Sequence, residues 1–167
     1  KVPSKELVQQ ILKKTFELTP SKQNMMPYSV HILDHTHTKE KDTLYELSTF
    51  SNCYHNHQLK APYVLLLQPR EVYKTEHMKS ELFASKGGEL NVTSSEVDVE
   101  IGMFVTIFTG LCLEYDIDVS YTKCFPSNVE YTMAVSIGYR IPDKVYKDTR
   151  HIKPKVDDVI KWTPHNI

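Results

Sequence analysis

The sequence has 167 residues, of which 40% are hydrophobic and 25% are charged, and its formal net charge is -1. These values suit one soluble globular domain that spans residues 1–167 and buries a core of its own. A net charge near zero provides no basic field for nucleic acid, and no apolar run is long enough to cross a bilayer.

Hydrophobic periodicity predicts three helices and four strands. The helices cover residues 5–18 with Ser4 as the N-cap, residues 39–54, and residues 96–115 with Ser94 or Ser95 as the N-cap. The strands cover residues 28–33, 61–69, 119–123 and 132–139, and a short amphipathic segment follows at 156–162. This order predicts an α+β fold in which a mixed, mainly antiparallel sheet is flanked by helices on both faces.

The predicted helix 96–115 is apolar on most of its sides and includes Gly102 and Gly110. A helix of this kind is usually buried, either between two layers or against a second copy of itself. We therefore expect a charge introduced at Phe104 or Phe108 to give insoluble or monomeric protein.

A polar loop connects the first helix to the first strand. Pro20 ends the helix because it lacks an N–H and its ring clashes with the preceding turn. Ser21 and Asn24 then supply short polar side chains, and Pro27 is expected to push Met26 toward extended geometry as the strand begins. A polar loop at this place in a fold is often part of a ligand-binding site, although a solvated loop without a ligand explains the same pattern.

Several common site motifs are absent. With five glycines, the sequence contains neither a Gly-x-Gly-x-x-Gly nor a Walker phosphate loop, and it lacks Gly-x-Ser-x-Gly. Two groups of possible metal ligands have spacings that match no standard zinc pattern, so polar loop histidines are the favoured interpretation and no metal is expected. The groups are His31, His35 and His37, and Cys53, His55 and His57.

The cysteines Cys53, Cys112 and Cys124 are an odd number at wide spacing. This pattern is typical of reduced thiols and predicts a cytoplasmic protein rather than a disulfide framework. Cys124 follows Lys123 at a strand end, but a nucleophilic cysteine needs a lowered pKa and a paired base. No partner histidine can be named, so a small buried thiol is the favoured interpretation.

A basic cluster lies late in the sequence, at Arg150, His151, Lys153 and Lys155. Charge runs are usually solvated, which favours an exposed tail. The functional alternative is a phosphate clamp, because arginine offers a two-pronged donor and lysine a point charge.

Four segments, in this chain order, resemble the nitroreductase-like flavoproteins, and the resemblance covers nearly the whole chain. They are the loop Pro20-Ser21-x-x-Asn24-x-x-Pro27-Tyr28, the pair Ala61-Pro62 before an apolar strand, the helix end at 113–118 before the turn Tyr121-Thr122-Lys123-Cys124, and Val135-Ser136-Ile137-Gly138-Tyr139. The resemblance implies a three-layer sandwich and a homodimer, with FMN at an interface formed largely by the long helix. It also implies an Arg-rich segment before Val2, which this sequence does not include.

The resemblance assigns residues to the flavin site. The first loop would contact FMN through Ser21, Lys22, Asn24 and Met26, and Met26 stands where the family usually has Gln. Asn56 would reach the ring or ribityl chain, and the N5 edge of the flavin would lie beside Tyr121, Thr122 and Lys123. The phosphate would be held by Arg150 and Lys153. Because flavin itself carries the hydride, no catalytic side chain is expected. The implied partners are NAD(P)H and a small-molecule electron acceptor such as a nitroaromatic or quinone, used in turn by ping-pong kinetics.

Two alternatives stay open at this point. The first is a specialised flavin chemistry, such as halide removal, on the same fold. The second is a flavin-fold homodimer that has lost catalysis and serves as a binding or structural module.

Overall fold

The structure, a computed structural model, describes residues 2–48, 56–72, 93–126, 129–139 and 159–160. Its helices are α1 (Lys5–Leu18), α2 (Thr38–Leu47) and α3 (Ser94–Leu113), and its strands are β1 (Tyr28–Leu33), β2 (Tyr63–Pro69), β3 (Ile117–Thr122) and β4 (Met133–Tyr139). Two 3₁₀ turns, Lys22–Asn24 and His57–Lys60, precede β1 and β2. None of the helices in these ranges is long and apolar enough to span a membrane.

The two long helices begin at side-chain caps. Ser4 accepts a hydrogen bond from Leu7 N–H at 3.2 Å, as predicted for the start of α1. The cap of α3 is Thr93, so the prediction of Ser94 or Ser95 was wrong by one or two residues. Thr93 is the N-cap because Glu96 lies three residues after it, and the side chain of each residue accepts a hydrogen bond from the backbone N–H of the other in a capping box.

The four strands form one sheet in the order β1-β2-β4-β3, and every described pairing is antiparallel. Register pairs Tyr28 with Pro69, Leu67 with Met133, and Thr122 with Ala134. The start of β1, the end of β2, the start of β4 and the end of β3 therefore lie at the same end of the sheet. The predicted candidate loops are attached to this end.

Alternation along β2 places a hydrophobic core on each face of the sheet. Tyr63, Leu65 and Leu67 belong to a cluster with α1 and α3, whereas Val64 and Leu66 pack with residues of α2 and the 3₁₀ turn before β2. The fold is therefore α+β with helices on both faces, as the sequence predicts. The run of apolar residues in β2 follows from this double burial.

Several element boundaries differ from the predictions, and some predictions lie outside the described residues. Of the predicted helix 39–54, the structure describes α2 as Thr38–Leu47. β3 begins at Ile117, earlier than predicted, because Ile117 is fully buried and pairs with Tyr139. The basic cluster around residue 150 and nearly all of the segment 156–162 lie outside the described ranges.

Lys41 is a charged residue of α2 that the fold buries. Its side chain is only 5% exposed, and Nζ donates to the carbonyl oxygens of Ala61 and Pro62 at 2.7 and 2.9 Å. Burial lowers the pKa of Lys41, and the negative charge of Asp34 offsets part of this effect. Lys41 thus joins α2 to the chain just before β2, at the cost of a buried charge.

The buried charge of Lys41 predicts a pH-dependent stability. Because its pKa is lower in the folded protein than the ordinary value of 10.5, the unfolded chain binds more protons between those two values, and stability rises with pH in that window. We expect the unfolding free energy of the wild type, relative to Lys41→Met, to increase from pH 7 to pH 10 in urea titrations. Lys39→Met, an exposed position on the same helix, controls for charge loss. A flat difference between wild type and Lys41→Met would contradict the prediction.

Candidate functional site

The loop between α1 and β1 adopts a backbone that the sequence does not predict. Asn24 and Met26 have positive φ values of 53° and 46°. The expectation of extended geometry at Met26 was therefore wrong. The reversal is held locally, because Ser21 Oγ accepts a hydrogen bond from Met26 N–H at 2.8 Å. A left-handed methionine is strained, and such strain persists only where neighbouring contacts fix it.

Arg70 supplies one set of these contacts from the end of β2. Its Nε donates to Met26 O at 2.7 Å and its Nη2 donates to Met25 O at 2.8 Å. Its backbone N–H also donates to Pro27 O at 3.1 Å. Sequence reasoning missed Arg70, although an arginine directly after a buried strand and Pro69 could have suggested a role at that end of the sheet.

The first turns of α3 supply the second set of contacts, all through Lys22. Glu100 Oε1 accepts from Lys22 N–H at 2.9 Å, and Lys22 Nζ donates to Glu96 Oε1 at 2.5 Å. The hydrogen bond from Lys22, with the Thr93 backbone N–H, lowers the pKa of Glu96 to about 2. Lys22 is thus fixed to α3 by both its backbone and its side chain.

Glu100 is buried beneath this loop, with 4% of its surface exposed. Its Oε2 atom is buried and has no hydrogen-bond partner in the described part of the chain. Burial raises the pKa of Tyr28 well above its usual value, and the nearby charge of Glu100 raises it further. Sequence reasoning also missed Glu100, whose signal is a single acidic residue on the apolar face formed by Val97, Ile101 and Phe104.

Asn24 presents its side chain outward from this fixed loop. The residue is exposed, and its amide forms no hydrogen bond to the residues that the structure describes. Asparagine tolerates the left-handed region better than other non-glycine residues. The Asn24 amide is therefore unengaged among the described residues, while the predicted site residue Met26 is only 8% exposed and packs against Tyr28.

The turn after β3 is joined to a segment 66 residues earlier in the chain. Thr122 is buried, accepts from Cys124 N–H at 3.1 Å and donates to Asn56 Oδ1 at 3.4 Å. Asn56 Oδ1 also accepts from Gln58 Nε2, and Asn56 Nδ2 donates to Ser48 O, both at 3.1 Å. The structure brings the predicted site residues Asn56 and Thr122 together, with the Asn56 amide bridging three segments.

Other side chains of this turn point outward. Tyr121 is 63% exposed, and Lys123 Nζ lies 3.8 Å from Asp98 Oδ2 near the start of α3. Cys124 is exposed, so the interpretation of it as a buried thiol was wrong. The buried free thiol is Cys112, whose pKa burial raises to about 12.

The two candidate segments thus lie at one end of the sheet, and both contact the start of α3. Lys22 pairs with Glu96, and Lys123 lies within ion-pair distance of Asp98, so two ammonium groups lie beside the first turn and a half of one helix. The predicted phosphate ligands Arg150 and Lys153 lie outside the described residues. Among the residues that are described, no group of three His, Cys, Asp or Glu side chains could hold a metal ion.

Comparisons with known proteins give matches to solved structures alone. No family model matches the sequence, and no curated protein matches it. A Staphylococcus epidermidis protein assigned as an NAD(P)H:FMN oxidoreductase superposes with a TM-score of 0.71 at 15% identity, over 96% of this chain and 86% of that one. An Exiguobacterium sibiricum protein assigned as a nitroreductase, solved with FMN, gives 0.70 at 19% identity, over 98% and 89%.

A third match has the same character. A Desulfovibrio desulfuricans protein assigned as a nitroreductase, also solved with FMN, gives a TM-score of 0.64 at 11% identity, over 98% of this chain and 87% of that one. At these identities the likeness concerns the fold. The chain has the fold of the nitroreductase-like flavoproteins, and the resemblance based on its four sequence segments is confirmed at that level.

The backbone at Asn24 predicts different outcomes for two substitutions that both remove the amide. Alanine tolerates the left-handed region less well than asparagine does at φ 53°, and we expect Asn24→Ala to lose about 1 kcal/mol of unfolding free energy. Asn24→Gly adopts this φ without strain and should stay within about 0.5 kcal/mol of the wild type. Urea unfolding of the FMN-free protein measures both. Equal losses in the two variants would contradict the backbone argument.

Proposed function

We propose that the protein is an FMN-dependent NAD(P)H oxidoreductase of nitroreductase type that reduces nitroaromatic or quinone-like acceptors. One observation carries the proposal. The loop 21–26 and the turn 121–124, which the resemblance assigns to flavin, lie at the same end of the sheet and both contact the same helix start. The fold that holds them is shared with proteins solved with FMN.

The groups available at this end of the sheet suit a flavin. Asn24 offers an unengaged amide, and Lys22 and Lys123 offer ammonium groups that favour the negative charge of a reduced isoalloxazine. Ser21, Asn56 and Thr122 fix the two segments and contribute through backbone geometry. Arg150 and Lys153 are proposed to hold the phosphate, because that chemistry suits arginine and lysine.

When bound, FMN supplies the hydride chemistry, first as acceptor from NAD(P)H and then as donor to the second substrate. The role of the chain is to bind and orient the ring and to leave one side open for each partner in turn, which predicts ping-pong kinetics. No side chain is required as a general base. The free thiols of Cys112 and Cys124 fit a reducing compartment, and we place the protein in the cytoplasm.

We further propose a homodimer formed along α3. Val99, Thr106, Gly110 and Leu113 share one face of this helix by their spacing, and all four are exposed in the single chain. Phe104 and Phe108 lie on the other side, at 2% and 0% exposure. A charge at either phenylalanine would therefore disrupt the core of the chain itself, so the exposed face is the place to test the interface.

One observation favours the alternative of a flavin-fold module without catalysis. The position where the family usually has an amide is Met26, whose side chain is buried and whose carbonyl oxygen is occupied by Arg70. A cofactor bound weakly or not at all would follow from this arrangement.

The absorption spectrum distinguishes the two functions. We expect the purified wild type, mixed with FMN and desalted, to retain the flavin bands and to oxidise NAD(P)H when a quinone or nitroaromatic is present. Asn24→Ala and Asn24→Gly should both weaken FMN binding, because both lose the amide, whereas only the alanine variant loses stability. A wild type that stays colourless after desalting would reject the proposed function and leave the binding-module alternative.

Two threonines provide a matched test of the dimer. Thr106 on α3 and Thr43 on α2 are both exposed, and each donates its hydroxyl to the carbonyl oxygen four residues earlier, Gly102 O and Lys39 O. We expect Thr106→Glu to weaken dimerisation at least tenfold in sedimentation equilibrium, because it places a charge in an apolar interface. Thr43→Glu, on the opposite face of the sheet, should leave the association unchanged. Equal behaviour of the two variants would exclude this face of α3.

A further inference from the structure

Glu100 has features that a purely structural residue lacks. It lies on the buried face of α3, where its neighbours Val97, Ile101 and Phe104 belong to the hydrophobic core. One carboxylate oxygen accepts a hydrogen bond from Lys22 N–H, and the other is buried without a partner in the described part of the chain. A buried carboxylate with an unpartnered oxygen destabilises a fold, so its presence calls for another explanation.

The side-chain hydrogen bond that Glu100 makes within the described residues is well placed to control the loop. Lys22 is the first residue of the 3₁₀ turn Lys22–Asn24, and an N–H at the start of such a turn has no partner within the turn. This turn ends at the left-handed Asn24, and the loop closes with the hydrogen bond from Met26 N–H to Ser21 Oγ. Arg70 holds the far end of the same loop through the carbonyl oxygens at positions 25 and 26.

We propose that Glu100 is a positioning residue for the cofactor: it fixes the backbone of the loop 21–26 through Lys22 N–H and does not touch FMN itself. The inference rests on the proposed function, because the loop is assigned to FMN there. Its distinguishing consequence is that Glu100 contributes to cofactor affinity and loop order while contributing little or nothing to global stability.

Three variants separate this role from a general packing role. Glu100→Gln keeps an oxygen that accepts from Lys22 N–H, whereas Glu100→Leu has a similar volume and offers no acceptor. Phe108→Leu, two turns further along α3 and fully buried, reduces core packing and leaves the hydrogen bond between Glu100 and Lys22 N–H in place. For each variant we would measure the FMN dissociation constant by fluorescence titration, hydrogen exchange of the Lys22 amide by NMR in FMN-free protein, and urea unfolding.

We expect Glu100→Leu to bind FMN about tenfold more weakly or worse, as for the loss of one hydrogen bond to a charged acceptor, and to lose protection at the Lys22 amide. Its unfolding midpoint should be equal to or higher than that of the wild type. Glu100→Gln should bind FMN within threefold of the wild type and keep the Lys22 amide protected. Phe108→Leu should lose stability and keep FMN affinity within threefold.

The proposal is overturned if Glu100→Leu binds FMN as the wild type does with its Lys22 amide still protected, or if Glu100→Gln fails as completely as Glu100→Leu. Failure of the proposed function has a separate signature. If the wild type binds no FMN, hydrogen exchange of the Lys22 amide is the deciding measurement. Loss of protection in Glu100→Leu but not in Glu100→Gln supports the positioning role of Glu100. Equal protection in the two variants overturns it.

Discussion

The candidate site depends on one constraint: the strained loop 21–26 is held between the start of α3 and the end of β2. Met26 has a left-handed backbone that a methionine does not adopt on its own, so the energy that holds it comes from elsewhere. Arg70 holds the loop from the end of β2, and Glu100 holds it from α3. The sheet and the long helix thus act on the loop together, and a shift of either one would move it.

The start of α3 also organises the charge around the site. Glu96 and Asp98 lie at the positive end of the helix dipole, where acidic side chains are favoured, and each fixes a lysine, Lys22 or Lys123, from a different segment. Glu96 serves in addition as the partner of the N-cap. The first turn and a half of α3 therefore stabilises its own end and places two carboxylates beside lysines of the candidate loops.

Features that depend on residues close together in the sequence were predicted, and features that depend on distant residues were not. α1 and β1 were predicted to the residue, because Ser4, Pro20 and Pro27 mark their ends through local chemistry. The assignment of Ser21, Asn24 and the turn after β3 to the site comes from the sequence resemblance and stays a prediction. The backbone at Met26 and the roles of Arg70 and Glu100 were not predicted, because they depend on bonds across 44 and 78 residues of sequence. Periodicity carries no information about such pairs.

The same long-range bonds have a consequence for how the protein folds. Lys22 meets Glu100 across 78 residues, and Thr122 meets Asn56 across 66. Contacts of high sequence separation form slowly, since the loops between them must be closed first. The candidate site can therefore be complete only when both β1 and β3 have paired with the two strands between them. A ligand that needs both the loop 21–26 and the turn 121–124 would bind the completed fold and not the partly folded intermediates. Ligand binding measured during refolding would therefore follow the last folding step rather than the first.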